Sequence, residues 1–388
     1  MYSQMTYLSR QAYDAATDEM LTAEDAVRFL EKELRMRSLR SKIDKFAKGR
    51  DEKTLKKQLT DGLLIDHPGL SRDSAKRRVR GWMDPNSTST LRKKDAIEAA
   101  FLLGLNLQEA DDFIAMVSEE RLHWRSVFEI VYIYALNNGL TWKEASAMTL
   151  EMQDLLSGPS DPETVSTTVF TSSIRPRIEA LHTKDALEAF LKEEAPRLGQ
   201  YHNQAYRFFV DMMNILQTPV SKEEAEDLWD GKQEKLHVSQ VVREYLCESS
   251  VLKARDRAVK TKKLFNEGKL SGDKLYVLTR IQKNIADAWP EETLLSKMKH
   301  RQKDVNRKVL ILLQLASSED NMWDDEPEKI DFFREQKEKI NFMLALCGYS
   351  PLDPRNPFDW IIIYCITADD LLDMDAKMIT IFKKMFDY

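Results

Sequence analysis

Ser71-Arg72-Asp73-Ser74-Ala75-Lys76-Arg77-Arg78-Val79-Arg80-Gly81-Trp82-Met83 reads as one short amphipathic helix. Ala75, Val79 and Trp82 or Met83 recur every three to four residues and form a buried stripe. Arg72, Lys76, Arg77 and Arg80 then project outward, and Ser71 stands where an N-cap belongs. The surroundings are basic as well. Residues 35–94 hold 18 Lys/Arg against 7 Asp/Glu in a chain of 388 residues whose net charge is −6. Such an asymmetry points to an anionic partner, and nucleic acid is the densest one available.

Composition sets the class. Apolar residues make up 43% and charged residues 31%, with only 12 Gly and 12 Pro, which is the profile of an all-α, multi-helical chain of two or three domains. Cys247, Cys347 and Cys365 lie far apart with no CxxC pair, and no signal peptide opens the chain, so a cytoplasmic location is expected. The longest apolar run, residues 360–366, falls well short of the ~20 residues a membrane helix needs, so no membrane partner is expected.

Working outward, the capping pattern Thr22-x-x-Asp25 opens a helix carrying Ala26, Phe29, Leu30 and Leu34, with a basic face at Arg35, Arg37 and Arg40. Leu55, Leu59, Leu63 and Leu64 mark another helix, stopped by Asp66-His67-Pro68-Gly69. After Met83 a polar loop leads to an apolar helix at Ala96 to Leu103. Gly104 to Ala110 turns the chain into a further helix reaching about Glu120. Apolar helices follow at Trp124 to Leu136 and Trp142 to Leu156. Gly158-Pro159-Ser160-Asp161-Pro162 and a Thr/Ser-rich stretch to Ser173 then mark a boundary. Residues 1–20 are polar and mixed, with no predicted element. In the middle, Lys184 to Glu194, Tyr201 to Leu216, Lys222 to Trp229 and Val238 to Tyr245 are predicted helices, with Tyr206, Phe209, Met212 and Met213 as a core stripe.

Helix, turn, Ser-initiated helix with a Gly-Trp near its end, polar loop, then an apolar helix closing on Leu-Gly-Leu-Asn-Leu-Gln-Glu-Ala-Asp resembles the helix-turn-helix module of the lambda-repressor-like (xenobiotic-response-element) class, over residues 40–118. The resemblance implies that the helix after the turn, Ser71 to Met83, lies in a DNA major groove. Two features depart from the class: a long helix before the turn, and a turn longer than usual.

The chain also resembles itself. At an offset of 230, residues 111–136 align with 341–366 without a gap, with six identities, among them Arg125/Arg355, Phe128/Phe358 and Tyr134/Tyr364. Upstream of the second copy, residues 253–308 hold 16 Lys/Arg against 7 Asp/Glu, and Ser271 to Lys283 repeats the Ser-initiated basic helix. Val309 to Leu315 supplies the apolar helix. Tyr349-Ser350-Pro351-Leu352-Asp353-Pro354-Arg355-Asn356-Pro357-Phe358-Asp359-Trp360 resembles the C-terminal part of an uncharacterised group of Firmicute helix-turn-helix proteins. In it Pro354 and Pro357 fix an extended entry, and Asp359 sits in a first helical turn, where its charge suits the helix dipole. The expected organisation is two related helix-turn-helix-like modules, 1–157 and 251–388, flanking a helical middle domain, 158–250. Residues 309–388 are acidic, with 16 Asp/Glu against 8 Lys/Arg.

Catalytic motifs are missing. The six histidines are scattered without HxxxH or HExxH spacing, and GxGxxG, GxxxxGK[ST] and GxSxG are absent, so no metal, cofactor or enzymatic activity is expected. The expected function is a non-enzymatic regulator binding duplex DNA. Arg72, Lys76, Arg77 and Arg80 would meet phosphates or guanine edges, and Arg37, Arg40, Lys42, Lys45, Lys48, Lys56 and Lys57 would add phosphate attraction. In the second module Lys274, Arg280 and Lys283 are the candidates, on a helix with fewer charges. RNA in place of DNA stays open. So does a helical scaffold or adaptor docking protein partners, such as a subunit of a bacterial defence or signalling complex. Lambda-repressor-like modules usually act in pairs, so a homodimer, or two copies in one chain replacing it, accompanies the DNA reading.

Overall fold

The computed structural model describes residues 6–85, 90–152, 171–194, 198, 203–217, 238–239, 242, 246, 266–268, 291–318 and 329–386. Among these residues the chain is all-α, with helices and a single isolated antiparallel bridge. In chain order the helices begin α1 (Tyr7–Ala16), α2 (Ala23–Lys32), α3 (Leu39–Asp44), α4 (Glu52–Asp66), α5 (Arg72–Trp82), α6 (Lys93–Leu103), α7 (Leu107–Ser118), α8 (Val127–Asn137) and α9 (Trp142–Glu151). They continue as α10 (Thr171–Glu179), α11 (Lys184–Glu194), α12 (Asn203–Gln217), α13 (Glu292–Lys299), α14 (Arg307–Ala316), α15 (Lys329–Leu346), α16 (Pro357–Ile366) and α17 (Leu371–Phe386). Contacts group the chain into two compact units: 1–36, 205–344 and 351–388 in one, 37–204 and 345–350 in the other. The boundaries expected near 157 and 250 lie outside the described residues, as do Ser271 to Lys283 and the expected helix at Lys222 to Trp229.

The first unit is built on α16, every residue of which is buried. A helix that is apolar all round has to be enclosed on all sides. Trp360 lies at its centre, stacked on Phe29 of α2 at 5.2 Å and on Tyr364 at 5.8 Å, and its indole N–H donates to the Ala12 carbonyl of α1 at 2.8 Å. Thus α1 is a real element where the sequence predicted only polar, mixed chain. Its buried positions are Ser9, Ala12 and Ala16, small residues that leave no large apolar period to read. Thr22 caps α2 as expected: its hydroxyl accepts the Asp25 N–H at 3.2 Å and donates to the Asp25 carboxylate at 2.8 Å. Phe209, Met212 and Met213 are core, as their stripe predicted, whereas Tyr206 is only half-buried and its hydroxyl donates to the Lys299 carbonyl at 2.9 Å.

The second unit packs α3 to α11. Capping boxes at Asn106/Glu109 and Thr141/Glu144 start α7 and α9, and Gly104, at φ 65°, ends α6 in the left-handed conformation that glycine adopts freely. Three boundaries differ from expectation. Helix α9 ends at Glu151, with Met152 as its C-cap, short of the expected Leu156. Ser126 caps α8, so Trp124 lies before the helix rather than in it. In addition, α10 begins inside the Thr/Ser-rich stretch expected to end at Ser173 and runs to Glu179, ahead of the first helix predicted at Lys184, and Pro176 within it masks the helical signal.

The aligned copies share specific bonds. The Leu122 N–H donates to Asp111 Oδ1 at 2.8 Å, and the Leu352 N–H donates to Asn341 Oδ1 at 2.9 Å. One step on, the His123 N–H meets Glu129 Oε2 at 2.7 Å, and the Asp353 N–H meets Asp359 Oδ2 at 2.8 Å. Glu129 and Asp359 each bind a cation at the first position of another helix: Lys93 of α6 at 2.8 Å and Arg307 of α14 at 2.8 Å. Asp359 therefore serves structure, as its place in the first turn predicted.

Arg307 and Asp359 are 4% and 1% exposed, so removing one partner strands a buried charge. Arg307→Met should cost about 3–5 kcal/mol in a denaturant titration. Adding Asp359→Asn, which still accepts the Asp353 N–H, should recover part of that loss. A double variant no more stable than Arg307→Met would show that the stranded charge is not the cause. Asp375 of α17 gives a pH test. Burial pushes its carboxyl up to about 7, above its unfolded value near 3.8. The folded state thus holds a proton that the unfolded chain releases, and stability falls as pH rises from about 4 to about 7. Asp375→Asn should raise the unfolding temperature at pH 8 and leave it nearly unchanged at pH 4.

Candidate nucleic-acid interface

Ser71 caps α5 by accepting the Ser74 N–H at 3.2 Å, and Asp73 lies in the first turn, where a negative charge suits the helix N-terminus. Ala75, Val79, Trp82 and Met83 are buried, which fixes the rotation of the helix about its axis. Arg72, Lys76, Arg77 and Arg80 consequently point to solvent, on the side predicted for them. Arg72, Lys76 and Arg80 stand four residues apart, so their charges repeat about every 6 Å along the axis.

What those charges face differs from residue to residue. Arg72 lies 3.9 Å from Asp61 with its side chain 69% exposed, a loose contact. Lys76, Arg77 and Arg80 form no ion pair with any described residue, and Lys57 on α4 is likewise exposed and unpaired among them. Lys53, one turn before Lys57, has the same character and was missed from sequence. Its i, i+4 spacing to Lys57 was the available signal.

Other candidates are already engaged. Arg40 binds Glu52 at 2.6 Å and Asp44 at 3.5 Å, and Lys56 binds Glu52 at 2.5 Å. Hydrogen bonding from Lys56, reinforced by the charge of Arg40, holds the Glu52 carboxyl below its usual range. Lys48 bonds Glu109 at 2.7 Å and the Gly104 carbonyl at 3.3 Å, and its hydrogen bond lowers Glu109 in the same way. Arg37 and Lys42 are half-buried and Lys45 is exposed. Lys274, Arg280 and Lys283 lie outside the described residues.

Beneath α5 is a polar network that sequence reading did not find. Arg78, flanking the buried stripe, sends one terminal nitrogen to Asp95 at 2.8 Å and to Glu98 at 2.7 Å, both on α6, and its guanidinium sits 4.9 Å from the centre of the Trp82 ring. Glu98 is 3% exposed and meets His67 Nε2, at the end of α4, at 2.6 Å. Burial, and then the charge of Glu98, raise the neighbouring Asp66 carboxyl above its ordinary value. One buried carboxylate therefore ties α4 and α5 to α6, and the exposed cations ride on that clamp.

The arrangement presents exposed cations on a helix whose rotation is set by its buried face. Among the described residues no cluster of three His, Cys, Asp or Glu could hold a metal ion, and no helix is long and apolar enough to cross a membrane. No family model, curated protein or solved structure matches the chain.

Truncating Arg78 would leave Glu98 buried without its main partner. Arg78→Met should destabilise the second unit by about 3 kcal/mol, and Arg78→Met with Glu98→Gln by less. Denaturant unfolding followed by circular dichroism measures both.

Proposed function

We propose that this chain is a non-enzymatic, cytoplasmic regulator that binds duplex DNA through the outer face of α5. The observation that carries the reading is the contrast within one basic region. Arg40, Lys48 and Lys56 are neutralised by acids of their own chain, whereas Lys76, Arg77 and Arg80 point outward and form no ion pair with a described residue. An unneutralised row of cations on a rigidly rotated helix suits a polyanion, because each contacted phosphate releases condensed counterions. The likeness of residues 40–118 to the lambda-repressor-like class adds support, and so does the packing of α5 directly after α4, although the turn between them is longer than is usual in that class. Lys53 and Lys57 on α4 would contact the phosphate backbone, and α5 would face the groove. Two related copies in one chain would take the place of a homodimer.

A second reading, a helical adaptor whose basic face meets an acidic protein, is favoured by the same ion pairs, since they shrink the cationic area available to a duplex. Salt dependence separates the two. The DNA reading expects affinity for a 25-base-pair duplex to fall steeply between 50 and 200 mM salt, with a log–log slope of about −0.9 per phosphate contacted. Arg77→Glu with Arg80→Glu should weaken binding by at least about tenfold, with the fold retained. Fluorescence anisotropy reads both, and duplex binding that survives this double variant would remove α5 as the interface.

A further inference from the structure

The second unit contains a cavity of about 420 Å³, within the range of metabolite sites, about 300–1,000 Å³. Its wall draws on four stretches of chain: the α7–α8 connection, Arg175 of α10, Asn203 and Gln204 at the start of α12, and residues 345–348. Three guanidinium groups, Arg121, Arg125 and Arg175, line it, against one carboxylate, Asp111. That carboxylate is occupied. Its Oδ2 accepts from Arg121 at 2.5 Å and its Oδ1 from the Leu122 N–H at 2.8 Å. Arg121 also meets Asp112 at 3.3 Å and Arg175 meets Glu179 at 2.8 Å, and neither of these acids lines the cavity.

Arg175 and Arg121 keep donors unfilled. Arg175 gives its Nε–H to Glu179 at 2.8 Å, and its guanidinium lies 4.7 Å from the centre of the buried Trp124 ring. Both terminal nitrogens of Arg175 meet no described acceptor, and neither do Nε and Nη2 of Arg121. A guanidinium held on an indole, with its fork unfilled, is prepared for a planar or tetrahedral oxyanion. We propose that this cavity binds a small organic anion, its phosphate or carboxylate held by Arg175 together with Arg121, and the amide of Gln204 meeting its polar body. The site is separate from α5 and does not depend on the DNA reading.

Thermal unfolding and calorimetry of the full chain at 150 mM salt test it, with AMP as the phosphate probe, citrate as the carboxylate probe and sodium chloride at matched ionic strength as control. Binding at this site should make one of the two probes raise the unfolding temperature saturably, beyond the salt control. Arg175→Gln should weaken that binding at least about tenfold, and Arg175→Lys, which keeps the charge but loses the fork, should fall between. Arg77→Glu with Arg80→Glu should leave it unchanged. If Arg175→Gln does not fold, Gln204→Glu, which puts a negative charge in the wall, should produce the same loss. No saturable effect from either probe would overturn the proposal. So would binding insensitive to both Arg175→Gln and Gln204→Glu, or binding abolished by the α5 variant.

Discussion

A carboxylate in the first turn of an apolar helix, bound to a cation at the first position of another helix, is the constraint around which each unit is arranged. In one unit it joins Asp359 of α16 to Arg307 of α14, and in the other Glu129 of α8 to Lys93 of α6. Both α8 and α16 are so apolar that hydrophobic burial alone would hold them in many rotations and offsets. The carboxylate removes that freedom, because its second oxygen must also accept the backbone N–H of the residue six positions earlier. A charge taken out of water tolerates few alternatives.

The same logic at shallower depth sorts the basic residues of the second unit. Glu98 is buried and fully engaged, so Arg78 belongs to the scaffold. Glu52 and Glu109 are at the surface, and their bonds to Arg40, Lys56 and Lys48 are of the solvent-screened kind that contributes little to stability. Those pairs still have an effect, since they lower the field that a polyanion would feel around α3 and concentrate what remains along α5. A helix clamped from beneath and charged on top transmits no strain to its exposed side chains. They are free to adapt to whatever they meet.

Much of this was legible in the residues. The rotation of α5 followed from Ala75, Val79 and Trp82, because three apolar residues at helical spacing leave only one buried face. The capping of α2 and α5, and the place of Asp359 in the first turn of α16, followed from local side-chain chemistry within three or four positions. What stayed hidden is what depends on distant partners. Lys48 and Glu109 are 61 residues apart, and Arg78 finds Asp95 and Glu98 on another helix, so no local pattern separates a solvated lysine from a paired one. Helix α1 was hidden for a different reason: it packs through Ser9, Ala12 and Ala16, whose small size lets another helix approach but gives hydrophobic periodicity nothing to register. The offset of 230 was visible as scattered identities, yet its most telling positions, Asp111/Asn341 and Glu129/Asp359, are not identities at all. They keep the acceptor and change the residue.

The indole N–H of Trp360 closes on the carbonyl of Ala12, 348 residues earlier. Such a distance matters while the chain is being made. At about 5–20 residues per second, α1 and α2 leave the ribosome tens of seconds before α16 exists. Over that interval Phe29, Leu30 and Ala26 have no lasting cover, while residues 37–204 can already fold between them and their eventual partners. Helices α1 and α2 must therefore wait for α16 before the apolar side they turn to Trp360 is covered.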